Sequence, residues 1–400
     1  MFNQRYVDMT QQESVIRKVF MYGRERSKIV GPENVFDYSL GNPSVACPEG
    51  FDKAVISLTQ SLDSISLHGY SPNLGNDKAR EAIADSLNRR FGMNYTVKNI
   101  FMAIGAAGAL AHALRAVVVE GRGDEVITFA PFFPEYMHYV GGTGAKLVVV
   151  PADTTCFQIN FAEFEKCLNP NTRAVLINSP NNPSGIVYST DTIDRLAEIL
   201  EKKQAEYGHS IYIISDEPYR ELIFAGTDSP FIAAHYANTM ICYSFSKSMS
   251  LPGERIGYIA INTEAEDYDV AVATFAQISR GIGHNCPASL IQMAVAEVID
   301  ETSDVSVYET NMNLLYDALT EYGYEIVKPG GTFYMFPKAL EEDATAFCEK
   351  AKAYDLLLVP SDSFGCPGHF RISYCIDTEK VKRSLPIFKK LAVDYGICKE

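Results

Sequence analysis

The middle of the chain alternates short runs of consecutive apolar residues with longer segments in which apolar residues recur every three or four positions. The short runs are rich in Val and Ile and lack polar alternation, which is typical of strands buried on both faces of a parallel sheet. They predict strands at Asn99–Ala103, Glu125–Phe129, Ala145–Val150, Ala174–Asn178, Ile211–Ser215, Met240–Ser244 and Ile256–Ile261. The sequence therefore predicts an α/β fold whose mainly parallel, seven-stranded sheet is covered by helices.

Helical periodicity fills the segments between the apolar runs. Apolar residues recur every four positions from Ala79 to Phe91, and Gly92 is expected to end that helix. A second helix presents Ile193, Leu196, Ile199 and Leu200 on one face. Its expected N-cap is Thr190 or Asp191.

The pattern changes near residue 305, where a smaller α+β domain is expected. A long helix over 311–322 precedes the turn at Gly330 and Gly331, and strands are predicted at Thr332–Phe336 and His369–Cys375. The predicted domains are a large one at 49–305 and a small one built from 1–48 with 306–400.

Composition narrows the classes of function. The chain has 47% hydrophobic and 21% charged residues, which is typical of a globular protein, and its net charge is −15. Such an acidic chain is not expected to bind nucleic acid or an anionic membrane surface. The segment Met1–Thr10 has no basic start followed by an apolar stretch, and no apolar run is long enough to span a bilayer. We therefore expect a cytoplasmic protein.

The nine cysteines indicate neither a metal site nor a disulfide framework. They form an odd set without a C-x-x-C pair, so no metal is predicted. Cys242 and Cys375 lie in apolar runs and are expected to be small buried hydrophobic residues.

Residues with distinctive chemistry follow the predicted strands, and ligands of parallel α/β sheets bind beyond the carboxyl ends of the strands. Lys247 follows one strand, with Ser244 and Ser246 before it and Arg255 after it. The hydroxyls and the guanidinium suit an anionic phosphate, and a neighbouring cation lowers the pKa of the amine towards its nucleophilic form. This is a setting for a Schiff base; the alternative is an exposed lysine in a loop.

The segment Ile104–Leu110 follows another strand and opens a helix. Its small residues allow backbone N–H groups to approach an anion at the helix N-terminus, although a tight turn without a ligand is equally possible. Its spacing is G-x-x-G rather than G-x-G-x-x-G, and the next strand ends in Thr128–Pro131 without an acid. A nicotinamide dinucleotide site is therefore disfavoured.

A carboxylate and a phenol lie three residues apart after the strand that ends at Ser215. Asp216 either caps a helix or meets a cation, and Tyr219 shares its face on a helical turn. A carboxylate beneath a pyridine nitrogen keeps that nitrogen protonated, and a phenol can bind the ring oxygen.

Each of three further segments is compatible with either a functional or a structural role. Asn182, in the turn Ser179–Gly185, is held rigidly by the proline that follows it. Phe132 and Phe133 suit either an aromatic ligand or the core. Arg371 lies in a strand pattern, where it is either a surface residue or a bidentate partner of a carboxylate.

The ordered motifs N-N-P-S-G, D-E-P-Y, S-x-S-K and G-x-R-x-G resemble those of the fold-type-I pyridoxal-phosphate aminotransferases of class I/II, the relatives of aspartate aminotransferase. The likeness extends from Leu40–Pro43 to Arg371. It implies an aminotransferase that moves an amino group between an L-amino acid and a 2-oxo acid through a Schiff base on Lys247.

The same resemblance implies a role for each site residue. Lys247 would hold the cofactor and shuttle the proton, Asp216 would pair with the pyridinium nitrogen, and Tyr219 would contact the ring hydroxyl oxygen together with Asn182. Phe133 would stack on the ring. The phosphate would be bound by Ala106, Ala107, Ser244, Ser246 and Arg255. The substrate carboxylate would be bound by Arg371, Asn182 and Gly41.

Two implied features concern the assembly and the backbone. Tyr70 matches a tyrosine that reaches the phosphate of the partner subunit, which implies a homodimer with shared active sites. Family members tend to have cis peptide bonds before prolines that match Pro131 and Pro183.

The chain departs from many relatives in carrying small residues at Ala107 and Gly108, so phosphate binding is expected to rely on backbone donors. A Phe rather than a Trp is the expected stacking ring.

The sequence is compatible with several classes of substrate. Arg280 resembles the arginine that receives the distal carboxylate in dicarboxylate-specific members, with His284 in the polar place of that motif, but a surface or interface arginine in a Gly-rich loop looks the same. Aspartate with 2-oxoglutarate is one expectation, and aromatic, alanine or branched-chain donors are the others. A C–S β-lyase or a decarboxylase on the same fold is an alternative reaction. A sensor domain of a transcription regulator is a different class, disfavoured by the acidic chain.

Overall fold

The computed structural model describes residues 2–10 and 14–399. Met1 and Glu400, the ends of the predicted small domain, and residues 11–13 lie outside this range. The strands are β1 (Phe36–Asp37), β2 (Ile100–Ala103), β3 (Glu125–Phe129), β4 (Lys146–Val150), β5 (Thr172–Asn178), β6 (Tyr212–Asp216), β7 (Thr239–Ser244), β8 (Gly257–Ile261), β9 (Tyr334–Met335), β10 (Leu356–Leu357), β11 (Val359–Pro360) and β12 (Phe370–Ser373). The α-helices are α1 (Gln4–Thr10), α2 (Val15–Val30), α3 (Glu49–Ser61), α4 (Ser64–His68), α5 (Asp77–Phe91), α6 (Gly105–Val117), α7 (Tyr136–Gly141), α8 (Phe161–Cys167), α9 (Thr190–Tyr207), α10 (Phe245–Ser248), α11 (Tyr268–Ile282), α12 (Ser289–Glu297), α13 (Ser306–Glu321), α14 (Ala344–Lys352) and α15 (Thr378–Asp394).

The central sheet has seven strands in the order β2-β8-β7-β6-β5-β3-β4. Strands β7, β6, β5, β3 and β4 pair in parallel, whereas β8 is antiparallel to both of its neighbours. Six strands therefore share one direction, which confirms the predicted α/β fold with a mainly parallel seven-stranded sheet.

The central strands of this sheet are buried on both faces. Within β8, Tyr258 and Ala260 belong to one apolar cluster, whereas Ile259 and Ile261 belong to another. Helices α5 and α9 contribute to the first cluster, and α6 and α11 contribute to the second. Because successive side chains of a strand point to opposite faces, such strands need apolar residues at every position. This explains why their sequences are continuous apolar runs.

The carboxyl ends of β2, β3, β5, β6 and β7 lie on one edge of the sheet, and β8 begins at that edge. Gly257, the first residue of β8, pairs with Ala103 at the end of β2 and with Ser244 at the end of β7. The loops that follow these strand ends are therefore neighbours.

Contacts divide the chain into two compact units. One comprises residues 45–182 and 186–305, and the other comprises 1–44, 183–185 and 306–400. In the smaller unit β1 pairs in parallel with β10, and β12 lies between β11 and β9 in an antiparallel sheet. The division into folding domains at 49–305 and 1–48 with 306–400 remains a prediction. Among the described residues, no helix has the length and apolar character of a transmembrane span.

Two local predictions were wrong. Helix α9 is capped by Ser189, whose hydroxyl accepts from the Thr192 N–H at 3.2 Å, rather than by Thr190 or Asp191. Ser189 has an extended backbone, as an N-cap requires, whereas Thr190 already belongs to the helix. The cis peptide bonds precede Pro131, as expected, and Pro180 rather than Pro183.

Candidate active site

The N-terminus of α6 is built from a close approach of two backbone segments. Gly105 has φ +74°, and a Cβ there would lie 2.6 Å from Nη2 of Arg255. A Cβ on Gly257 would overlap the Tyr243 carbonyl oxygen and lie 3.1 Å from Cα of Gly105. The Arg255 guanidinium therefore lies against the first turn of a 13-residue helix. A helix N-terminus beside a guanidinium favours an anion.

Ala106 and Ala107 follow Gly105 in this turn, and both are only partly buried. Their side chains are methyl groups, so the polar groups that they bring are backbone N–H donors. The first four N–H groups of a helix have no partner within it. The position of these alanines matches what an anion held by backbone donors requires.

Lys247 lies in the short helix α10, directly after the end of β7. The Ser244 hydroxyl accepts from the Ser246 N–H at 3.2 Å and caps this helix, and the two hydroxyl oxygens are 2.7 Å apart. Lys247 is partly buried and belongs to this turn, so the alternative of an exposed loop lysine is wrong. Arg255 donates from Nη1 to the Pro252 carbonyl oxygen at 2.9 Å.

Asp216 ends β6 and is only 5% exposed. The Tyr136 hydroxyl donates to its Oδ2 at 2.6 Å, whereas Oδ1 has no hydrogen-bond partner within the part of the chain that the structure describes. Burial raises the pKa of Asp216 to about 7; the Tyr136 hydrogen bond lowers this pKa, and the neighbouring charge of Glu217 raises it. A buried carboxylate with one open oxygen suits a cationic N–H donor.

Asn178, at the end of β5, connects Asp216 to Asn182. Its Nδ2 donates to the Asp216 carbonyl oxygen at 2.8 Å, and its Oδ1 accepts from the Asn182 N–H at 2.7 Å. All three residues are buried. The sequence motifs do not single out Asn178 or Tyr136, and the one signal for Asn178 is its place at the end of a predicted strand.

The turn after Asp216 contains the buried guanidinium of Arg220. The Arg220 guanidinium lies 4.2 Å from the centre of the Tyr243 ring, and its Nη2 donates to the Tyr258 hydroxyl at 2.7 Å. Glu217 is buried beside it, with 3.5 Å between its Oε2 and Nε of Arg220. Tyr219 is buried in the same turn, so its phenol is held in place by its surroundings.

Phe133 is half-buried and meets the Tyr136 ring edge to face, with 5.8 Å between the ring centres. Phe132 is buried and contributes to the apolar cluster that contains α6. Of the two candidate rings, Phe133 is the more accessible one.

Arg371 and Gly41 come together in the smaller unit. Arg371 is 2% exposed, so the alternative of a surface arginine is wrong. Its strand, β12, lies between β9 and β11, and its side chain lies over the ring of Tyr334. Its Nη2 donates to the Ser39 carbonyl oxygen at 2.6 Å, and its guanidinium lies 4.7 Å from the centre of the Tyr334 ring. A Cβ on Gly41 would overlap the Tyr334 hydroxyl. The Tyr334 side chain thus lies against both Arg371 and Gly41.

Tyr70 and Arg280 both lie on the wall of a cavity of about 690 Å³. Tyr70 is fully exposed, at 106%. Arg280 belongs to the last turn of α11 rather than to a loop, because helical hydrogen bonding continues through Ile282 before Gly283 ends it at φ +67°. Its Nη1 donates to Oε1 of Gln277 at 3.1 Å. His284 stacks on His112 at 5.6 Å between ring centres.

The cysteines are free thiols, and Cys242 and Cys375 are buried as predicted. Within residues 2–10 and 14–399, no cluster of His, Cys, Asp and Glu has the arrangement of a metal site.

The chain is similar in sequence and fold to known aminotransferases. The chain is 29% identical to aromatic-amino-acid aminotransferase 2 of Thermococcus litoralis over 395 residues, which cover 94% of this chain and 95% of that protein. A crystal structure of an amino transferase from Eubacterium rectale has a TM-score of 0.96 and 47% identity and covers 99% of both chains. Aspartate aminotransferase from Thermotoga maritima has a TM-score of 0.84 and 26% identity, with 94% of this chain and 96% of that chain covered. A family model described as aminotransferase class I and II matches residues 34–386, and the chain belongs to this family.

Proposed function

We propose that this aminotransferase carries out its reaction at the carboxyl edge of the central sheet, with Lys247 and Asp216 as its central catalytic residues. The observation that carries the proposal is Asp216, a buried carboxylate whose Oδ2 is bonded to Tyr136 and whose Oδ1 has no partner among the described residues. Pyridoxal 5'-phosphate is the cofactor of the class I and II aminotransferases, and its ring nitrogen is a donor of the kind that Oδ1 lacks.

The other residues at this edge also fit pyridoxal 5'-phosphate. The phosphate would be held by backbone N–H groups of Ala106 and Ala107 and by the Arg255 guanidinium, with Ser244 and Ser246 adding hydroxyl donors. The ring would be held by Phe133 on its face and by Tyr219 and Asn182 at its hydroxyl oxygen. When bound, the cofactor supplies an electron-accepting ring and a carbon that carries the amino group from donor to acceptor.

The protein's own contribution is to bind, orient and move a proton. The Lys247 amine would hold the cofactor covalently and, once released, take the α-proton of the substrate at Nζ. Asp216 would remain ionised and keep a proton on the ring nitrogen. In the smaller unit, the Arg371 guanidinium and the Gly41 backbone would bind the α-carboxylate of the substrate.

We further propose aspartate and 2-oxoglutarate as the substrate pair. Arg280 supports this choice because its guanidinium is exposed and its hydrogen bond goes to the neutral amide of Gln277. A planar guanidinium suits the distal carboxylate of a dicarboxylic substrate. Aromatic donors are the alternative that the Thermococcus litoralis relative represents.

We also propose a cytoplasmic homodimer in which Tyr70 reaches the phosphate of the partner subunit. The full exposure of Tyr70 supports this role, and nine free thiols suit a reducing compartment. Mixing Lys247→Ala chains with Tyr70→Ala chains tests the shared site. In a mixed dimer one site regains both residues, so activity should rise well above that of either variant alone. No gain in mixtures that exchange subunits would refute sharing.

The function is tested by incubating the holoenzyme with single amino acids and following the absorbance of the cofactor. A true donor should convert the aldehyde form to the amine form and release its own 2-oxo acid, and Lys247→Ala should do neither. Release of pyruvate and ammonia without conversion would instead identify a β-lyase. Conversion by Lys247→Ala at the native rate would refute the assignment of this lysine.

A further inference from the structure

Tyr136 occupies an unusual position for a buried tyrosine. It begins α7, is completely buried, and directs its hydroxyl at Oδ2 of Asp216, 80 positions later in the chain, at 2.6 Å. Its ring stacks on Phe132 at 6.5 Å and meets Phe133 edge to face at 5.8 Å, measured between ring centres. One side chain thus contacts both the carboxylate and the proposed stacking ring.

The backbone and the carboxylate of Asp216 are held by different partners. Asn178 holds the Asp216 carbonyl oxygen at 2.8 Å, which fixes the end of β6. This bond leaves rotation of the carboxylate about its own axis unconstrained. The Tyr136 hydroxyl removes that freedom, because it bonds one carboxylate oxygen and leaves the other with no partner among the residues that are described.

We propose that Tyr136 is a positioning residue for Asp216: its hydroxyl fixes Oδ2 and so presents Oδ1, in ionised form, to the ring nitrogen of the cofactor. The inference rests on the proposed function and adds to it a residue that tunes the ring. Buried carboxylates with both oxygens open would rotate and would take up a proton more readily.

The electrostatic surroundings explain why such a donor is needed. Burial is the largest influence on Asp216 and raises its pKa, and the charge of Glu217 raises it further. The Tyr136 hydroxyl is the group that opposes both effects. Among the described residues, Tyr139, Tyr219 and Cys242 also interact electrostatically with this carboxylate or with its phenol partner. All three are acids, so none of them offsets the loss of the hydrogen bond from Tyr136.

The test compares the binding of two ligands to the native protein and to Tyr136→Phe. The ligands are pyridoxal phosphate and its 1-deaza analogue, in which C–H replaces the ring nitrogen. If Tyr136 acts through Asp216 on that nitrogen, Tyr136→Phe should lower the affinity for pyridoxal phosphate by about 10- to 100-fold, as expected for losing a hydrogen bond to a charged group. The affinity for the analogue should be nearly unchanged. An equal loss for both ligands would show a merely structural role and overturn the proposal.

The matched control is Tyr236→Phe, which removes a buried phenol hydrogen bond to the Ile211 carbonyl oxygen, 2.7 Å long, in the same unit. It should leave the preference for pyridoxal phosphate unchanged. If Tyr136→Phe does not fold, 3-fluorotyrosine can replace Tyr136, since it is a stronger hydrogen-bond donor of nearly the same shape. It should raise the preference for pyridoxal phosphate over the 1-deaza analogue, and a lower preference would overturn the proposal.

Failure of the proposed function gives a different result from failure of this inference. If the native protein binds both ligands equally, Asp216 does not bind the ring nitrogen, and the proposed function is wrong. If the native protein prefers pyridoxal phosphate and Tyr136→Phe retains the full preference, the role of Tyr136 alone is refuted. Carbon-13 spectra of labelled aspartate in the ligand-free proteins give a second readout. The pKa of Asp216 should be higher in Tyr136→Phe, and an unchanged pKa would contradict the inference.

Discussion

Replacing Asp216 by Asn should change how the stability of the ligand-free protein depends on pH. The pKa of this carboxyl is raised from its ordinary value of 3.8 to about 7, chiefly by burial. Because the folded protein holds the proton more tightly than the unfolded chain, the resulting stabilisation is fully present below about pH 4. It is lost as the pH rises through 7. Asp216→Asn has no proton to lose at this position, so its stability should lack that decline.

The magnitude follows from the two pKa values. A difference of about 3 pH units corresponds to about 4 kcal/mol, of which about 3 kcal/mol falls between pH 5 and pH 8. For a chain of 400 residues the entropy of unfolding is about 0.8 kcal/mol/K, so this change corresponds to about 3–4 °C in Tm. The Tm of Asp216→Asn minus that of the native protein should therefore rise by this amount from pH 5 to pH 8.

Differential scanning calorimetry of both ligand-free proteins at several pH values measures this difference. Asp191→Asn is the control, since it removes an exposed carboxylate from the first turn of α9 in the same unit. Its Tm difference should be constant over this range. A constant or shrinking difference for Asp216→Asn would mean that the carboxylate is already compensated in the ligand-free protein, and the reasoning from burial would be refuted.

Three other perturbations follow from the same geometry. Asn178→Ala removes the hydrogen bonds to two buried backbone groups and should lower the free energy of unfolding by about 2–4 kcal/mol in urea titrations; a loss below about 1 kcal/mol would show that water replaces the amide. Arg280→Ala should reduce kcat/KM for aspartate at least about 10-fold and spare neutral donors, and equal losses for both would contradict a distal carboxylate site. Gly105→Ala places a Cβ 2.6 Å from Nη2 of Arg255 and should weaken binding of inorganic phosphate, measured by calorimetry. Gly92→Ala is the control for Gly105→Ala, because Gly92 has φ +67° but open space around it, so this substitution introduces backbone strain without a steric clash. Equal phosphate affinities in the two variants would refute the role of the contact between position 105 and Arg255.

The fold could be predicted because its determinants are local. Strands buried on both faces require apolar residues at consecutive positions, and β5, β6 and β7 show this pattern clearly. The smaller unit was harder to predict: only Tyr334–Met335 of the predicted strand Thr332–Phe336 is paired as a strand. Short antiparallel strands carry too few residues for a periodic signal.

The candidate site could be predicted in part, because its motifs lie at strand ends and keep a fixed order. What the sequence did not indicate are the partners across the fold. Tyr136 stands among aromatic residues that look like core, and its bond to Asp216 depends on how β3 and β6 are arranged in the sheet. The pKa of Asp216 depends on burial, which no spacing specifies.

The close approach of Gly105 and Gly257 restricts how this protein can diversify. Any side chain at Gly257 would overlap a backbone carbonyl, and any side chain at Gly105 would displace a guanidinium. Mutational libraries aimed at new amino donors should therefore leave both positions fixed and randomise accessible side chains such as Phe133. Adaptation at this end of the sheet must proceed by exchanging side chains around an unchanging main chain.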